Sequence, residues 1–327
     1  MVSIAVGLIG AGKHGQRYAH HVVRDVPELR LAALSRQDHA RSAEQARQLG
    51  CRYHDTWQAL VDDPAVEAVV AAVPPSLHPD VAGAVARRRK PLLIEKPLAT
   101  TGAVACEVAR MLRAAAVPCL MAHTLRWNAV VTAMRERIAG LGPLRAMLLN
   151  QRFEPSTLGW LDDPTAAGGG IVLHTGVHSF DLVRWLTGRE IVRVTCRTFR
   201  ASTIRTEDNF LAVLELEGSE ALVAVNGSRA TAGRSGLIDV AGAEGQLLGD
   251  HALGWCFSIR GLERTPVPLP ETVPTVREAQ RAFVRLIVAG ETPRTSLEDG
   301  ARAVLVAEAC YRSAERGAAV AVAPLTA

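Results

Sequence analysis

An apolar run near the start of the chain, Ser3-Ile4-Ala5-Val6-Gly7-Leu8-Ile9, passes directly into Gly10-Ala11-Gly12-Lys13-His14-Gly15. The segment that follows, 16–23, repeats its apolar residues at helical spacing. A strand, a tight turn and a helix start in this order constrain the chain more than any other stretch. Gly10 permits the turn, Gly12 lets the backbone approach a pyrophosphate, and Gly15 lets the helix pack on the strand. The phosphates then meet free amides at the positive end of the helix dipole. Lys13 and His14, inside the loop, are assigned to the same ligand. A glycine-rich turn that binds nothing is the alternative.

With 327 residues the chain has room for about two domains of ordinary size. Only 4% of residues are aromatic against 48% hydrophobic, an alanine and valine excess that favours tightly packed helices on a sheet. The net charge of +4 is small and its cations are scattered, which argues against a nucleic-acid partner. The cluster Arg87-Arg88-Arg89-Lys90 ends a predicted helix, where cations complement the dipole. Six dispersed cysteines without a Cys-x-x-Cys pair point to reduced thiols in the cytoplasm rather than to disulfides or a zinc site. The first apolar run has no basic region ahead of it and is expected to be a strand, not a signal peptide. No stretch approaches the ~18–20 apolar residues of a membrane span, so no membrane partner is expected.

A second strand is predicted over 29–34. Its end lies about 20 residues past Gly15, where an acidic residue would hold the ribose of NAD. Ser35-Arg36 stands there instead. An arginine can fork onto a 2′-phosphate, so NADP is preferred over NAD, with Ser35 and Arg36 as cofactor contacts. Arg36 stacking on the adenine or facing water is the alternative. Helices are predicted over 40–49 and 57–60, and an apolar strand over 66–73 stops at Pro74-Pro75. Ligands of such sheets sit at the carboxyl ends of strands, which places Val73, Pro74 and His78 beside the cofactor. After a helix over 79–88, the strand 91–94 runs into Glu95-Lys96-Pro97. A charged pair there is costly unless partnered or used. Lys96 can set an ammonium against a reacting oxygen; an ordinary Glu–Lys pair is the alternative.

The order Gly10-x-Gly12-x-x-Gly15, Pro74-Pro75-x-x-His78 and Glu95-Lys96-Pro97 resembles the glucose-fructose oxidoreductase, inositol dehydrogenase and MocA (Gfo/Idh/MocA) family. The resemblance implies that Glu95 and Lys96 sit at the nicotinamide, that Lys96 is catalytic, and that substrates are sugars, polyols or their derivatives.

A helix over 101–115 and a strand over 118–123 close the first domain, and the chain leaves it through Arg126-Trp127-Asn128, which is similar to a family segment. Arg126 is assigned to substrate, with packing as the alternative. A helix over 129–141 stops at Gly142-Pro143. Further on, Gly168-Gly169-Gly170 precedes His174-x-Gly176-x-His178-x-x-Asp181. The family pattern has Asp where His174 stands, while Gly176, His178 and Asp181 are in register. The resemblance makes His178 the catalytic acid or base; His174 assists it or sets specificity, and Trp160 covers one sugar ring. Four-residue spacing also lets His174 and His178 chelate a metal, but Gly176 between them and the lack of a following Glu argue against it, and no metal is assigned. Asp181 and Arg184 are expected to pair at i,i+3. Strands are predicted over 191–197, 208–215 and 221–228, with a hairpin at Gly218 and short strands between Gly233 and Gly254. Helices follow over 276–289 and from a Thr295-x-x-Glu298 capping box to about 314.

The expectation is therefore an α/β protein: a doubly wound parallel Rossmann domain at 1–121 and an α+β domain with an open, mainly antiparallel sheet at 122–327. Its activity is hydride transfer between NADP or NAD and a secondary alcohol or carbonyl of a sugar-like substrate. A non-catalytic dinucleotide sensor on the same fold is the alternative that His174 favours. The resemblance implies a homodimer or homotetramer assembled through the open sheet face.

Overall fold

Six strands form the first sheet: β1 (Ile4–Ile9), β2 (Leu29–Ser35), β3 (Arg52–Tyr53), β4 (Ala68–Ala71), β5 (Leu92–Ile94) and β6 (Cys119–Met121). In the computed structural model, which describes residues 3–326, every strand pair of this sheet is parallel, and the order is β3-β2-β1-β4-β5-β6. The winding reverses between β1 and β4, so a crevice opens over their carboxyl ends. Strands β4 and β5 are buried along their whole length because helices cover both faces. Those helices are α1 (Gly15–Arg24), α2 (His39–Leu49), α3 (Trp57–Asp62), α4 (His78–Arg88) and α5 (Gly102–Ala114). Lys90, beyond α4, does not lie in solvent as a dipole-complementing cation would; its ammonium donates to the Val61 and Asp63 carbonyls at the end of α3.

The second sheet has nine strands: β7 (Leu144–Arg152), β8 (Ile191–Phe199), β9 (Asn209–Leu216), β10 (Leu222–Ser228), β11 (Ser235–Gly242), β12 (Gly245–Asp250), β13 (Trp255–Arg260), β14 (Glu263–Pro266) and β15 (Val320–Ala321). Their order is β14-β13-β12-β11-β7-β10-β9-β8-β15, and only β7 with β10 is parallel. Strand β7 escapes sequence patterning because Leu148 is half exposed on its outer face while Met147 and Leu149 are buried on its inner one, so apolar residues do not alternate. The edge hairpin β13–β14 was likewise not anticipated.

One face of this sheet is covered by α6 (Ala129–Arg137), α8 (Val177–Thr187) and α10 (Leu297–Arg316); the second half also holds α7 (Pro164–Ala167) and α9 (Thr275–Ala289). Helix α9 returns to the first sheet, where Val276, Ala279 and Phe283 join Tyr18, Ala19 and Val22 of α1 in one apolar cluster. Full burial of a side chain such as Phe283 stabilises by roughly 1.5–3 kcal/mol. Helix α10 joins the two sheets. Its capping box is Ser296 with Asp299, one residue later than the sequence pattern indicates, because the Thr295 hydroxyl is turned to the Met121 carbonyl at 2.5 Å. Among the described residues no helix is long and apolar enough to cross a membrane. All six cysteines are free.

Candidate active site

The glycine loop joins the end of β1 to α1. A Cβ on Gly10, whose φ is +89°, would lie 2.3 Å from the Ala72 carbonyl oxygen, and one on Gly15 would lie 2.0 Å from the Gly10 carbonyl oxygen. Both positions therefore exclude any larger residue. Gly12 faces open space with nothing within 4 Å of its Cβ direction. No side chain caps the start of α1, whose Gln16 and Arg17 amides donate to the Gly12 and His14 carbonyls. The room at Gly12, at the positive end of the helix, fits a pyrophosphate. Beside the end of β2, Arg36 and Arg41 line a shallow groove with Gln16 and Gln45. Arg41 is paired with Asp38, while Arg36 enters no ion pair among the described residues. Ser35 is buried, and its carbonyl accepts from the Gly10 amide at 2.9 Å. Val73 and Pro74 follow β4 at the crevice. His78 is fully buried, with Nδ1 3.2 Å from the Leu98 carbonyl and Nε2 without a partner.

Glu95 and Lys96 follow β5, and they do not pair with each other through the ammonium. The Glu95 carboxylate is 2.5 Å from His14 Nε2 and accepts from the Tyr18 hydroxyl at 2.6 Å, which ties the glycine loop to the strand end. Burial alone would raise the Glu95 pKa, but His14, Lys96 and Tyr18 outweigh it and hold the group at about 2. A depressed carboxyl contributes stability that is complete above its ordinary value of 4.5 and is lost as pH falls toward 2. Urea unfolding between those pH values should thus be less pH-dependent in Glu95→Gln than in the parent; equal slopes would remove Glu95 from this role.

The Lys96 ammonium donates to the His174 carbonyl at 2.8 Å. Burial lowers its pKa from the ordinary lysine value, with Glu95 opposing and Arg229 adding to the effect. The Lys96–Pro97 peptide is cis.

The glycine triplet brings the chain against other elements: a Cβ on Gly170 would lie 1.9 Å from the Glu207 carbonyl oxygen. The backbone then runs through a π-helical turn, Val172–Gly176, into α8. Such a widened turn is often found at functional sites, and it gives His174 and His178 separate surroundings. His174 Nε2 lies 3.0 Å from the Ala167 carbonyl, so that nitrogen carries the proton and Nδ1 is an acceptor. Burial, with Lys96 and Arg229 nearby, holds His174 at about 3, hence neutral. Trp160 stands edge-on to it, with ring centroids 5.4 Å apart. His178 packs edge-on to His123 at 6.0 Å, and its Nδ1 is buried without a partner. Burial, then Lys96 and His123, push its pKa well below 6.5. Among the described residues the cluster of three metal-ligating side chains is His20, His21 and Asp25, which includes neither His174 nor His178.

Arg126 departs from the substrate-binding expectation. Its guanidinium is buried and forks onto Asp181 at 2.9 and 2.5 Å, contacts Asp299 at 3.1 Å and donates to the Arg294 carbonyl. Its donors are spent on protein. Asp181 accordingly does not pair with Arg184, which forks onto Glu190 and reaches Asp299. Asn128 caps α6 by accepting from the Val130 and Val131 amides. Residues not singled out in the sequence are Tyr18, His123, Arg229 and Tyr311. His123 follows the carboxyl end of β6, where the rule for α/β sheets would have found it; Arg229 opens the loop 229–235, which the sequence marks only as a candidate for substrate selection.

This sheet order, with a phosphate-accommodating loop and an ammonium–imidazole pair over the same crevice, defines a dinucleotide-binding oxidoreductase. Residues 4–123 match the model of an oxidoreductase family with an NAD-binding Rossmann fold, and residues 134–248 match the GFO/IDH/MocA C-terminal domain. The chain belongs to the Gfo/Idh/MocA family. It is 30% identical to inositol 2-dehydrogenase 2 of Saccharopolyspora erythraea, with 99% of this chain and 97% of that protein covered. It is 27% identical to D-xylose 1-dehydrogenase (NADP(+)) 2 of Haloferax volcanii, with 96% and 98% covered. The solved structure of an oxidoreductase domain protein from Kribbella flavida superposes with a TM-score of 0.89 at 21% identity, covering 99% of this chain and 100% of that one. The protein is an NAD(P)-dependent oxidoreductase with a small-molecule substrate.

Proposed function

We propose that the protein oxidises a secondary alcohol, or reduces the corresponding carbonyl, in a sugar, polyol or related compound, with Lys96 and His178 as catalytic residues. Nicotinamide supplies the hydride acceptor or donor when bound. His178 enters neutral and takes the hydroxyl proton on Nε2, since Nδ1 is buried; in the reverse direction it returns that proton. Lys96 donates to the same oxygen and stabilises its developing negative charge. His174 and Trp160 shape the substrate side. The observation that carries this proposal is the Lys96 ammonium, which has no carboxylate partner and is anchored by the His174 carbonyl, close enough to His178 to depress its pKa.

The cofactor half is 1–121 and the substrate half 122–327, the latter returning α9 to the first sheet. The outer face of the second sheet exposes Leu211, Val213 and Leu222, and a second copy in a homodimer or homotetramer is its proposed cover. Free cysteines support a cytoplasmic location.

Fluorescence titration with NADPH and NADH, followed by a sugar, polyol and keto-sugar panel, tests the proposal: binding with turnover supports it, and binding without turnover of any member overturns it. The unpaired Arg36 supports NADP as the preferred cofactor. Arg36→Ala should weaken NADPH binding by about tenfold or more, the value of a charge-assisted contact, and leave NADH within about twofold. Equal losses for both cofactors would refute the 2′-phosphate role.

A further inference from the structure

Arg229 follows β10 on the substrate side, in a loop that carries no sequence motif. Its charge is close enough to lower the pKa of both Lys96 and His174. Its Nη2 is buried without a hydrogen-bond partner, and it enters no ion pair among the described residues. The two carboxylates near it are engaged elsewhere. Glu207 accepts from the Gly170 and Val172 amides and the Tyr311 hydroxyl, and Asp208 accepts from the amides of Ala201, Ser202 and Thr203. Lys96 is the second cation without an ion pair, because Glu95 faces His14 and Tyr18. A carboxylate in place of His174 would have balanced one of these charges; the neutral imidazole does not. Two cations of the site, Lys96 and Arg229, thus have no ion pair; Lys96 is assigned to the reacting oxygen, which leaves half-buried Arg229, with its Nη2 wholly buried, without a partner.

We propose that Arg229 binds a carboxylate of the substrate, so that the enzyme acts on polyhydroxy acids in preference to neutral sugars or polyols. This rests on the hydride-transfer reading of the same site. A carboxylate, with one negative charge, matches the single guanidinium of Arg229; a phosphate ester carries close to two.

The test uses cofactor-saturated enzyme and sugars that differ only at C6: D-glucose, D-glucuronate and D-glucose 6-phosphate, with the galactose and mannose series alongside. Calorimetric binding and turnover are both measured. At least one uronate should bind about tenfold or more tighter than its aldose, as expected for a charge-assisted contact. Arg229→Gln should abolish that preference and Arg229→Lys should retain part of it. Cofactor affinity reports whether each variant is folded. Aldoses bound as tightly as uronates, a phosphate ester bound more tightly than the uronate, or a preference that survives Arg229→Gln would each overturn the proposal. If neutral sugars turn over without preference, only the carboxylate assignment falls. If nothing binds or turns over, the hydride-transfer reading falls with it.

Discussion

Replacing Lys96 by alanine lowers turnover by about a hundredfold or more, and His178→Ala does the same, while cofactor affinity changes little. Each variant removes a group that the proposed mechanism assigns to the reacting oxygen: the ammonium fixed on the His174 carbonyl, or the imidazole beside His123. Neither takes part in the glycine loop, where the His14–Glu95 contact remains. The pH profile separates the two roles. Because the His178 pKa is pushed well below 6.5, first by burial, the base stays neutral and alcohol oxidation holds its rate as pH falls through 6.5. The rate declines only as pH passes the lowered value. Stopped-flow hydride transfer with the best substrate of the panel measures both effects, and near-parental rates in the two variants would sink the assignment.

Arg126→Met costs the fold about 3–5 kcal/mol, the usual consequence of removing one partner of a buried ion pair. The Arg126 and Asp181 side chains are 6% and 2% exposed, and Asp181 would lose both of its arginine bonds with only His123, at 4.0 Å, left nearby. Asp299 is less affected because Arg184 still reaches it. Removing both charges in Arg126→Met with Asp181→Leu recovers much of the loss, since no buried charge is then left unpaired. Urea midpoints of the parent, single and double variants decide the matter. A single-variant loss below about 1 kcal/mol, accompanied by a large rise in KM, would return Arg126 to the substrate site.

Lys96 and Arg126 are both cations in motifs near the ends of first-sheet strands. The sequence favours a catalytic Lys96 over an ordinary pair with Glu95, and leaves Arg126 between a ligand and packing. In each case the outcome turned on partners distant in sequence: His14 and Tyr18 drew Glu95 away, while Asp181 and Asp299 captured Arg126.

The chain by itself determined the features whose causes are local. The dinucleotide turn was legible because Gly10 and Gly15 sit where a Cβ would strike nearby backbone, and the parallel domain, apart from the two-residue β3, because buried strands alternate with helices of readable period. The choice of His178 came from a family resemblance in which Gly176, His178 and Asp181 are in register, and its role is the proposal made above. Tertiary structure alone decided the parallel pairing of β7 with β10, the return of α9 to α1, and the unpaired state of Lys96 and Arg229. Ladder partners, helix docking and ion pairing are selected among many similar side chains by what folding brings within a few ångströms, and that selection leaves no periodicity in the sequence.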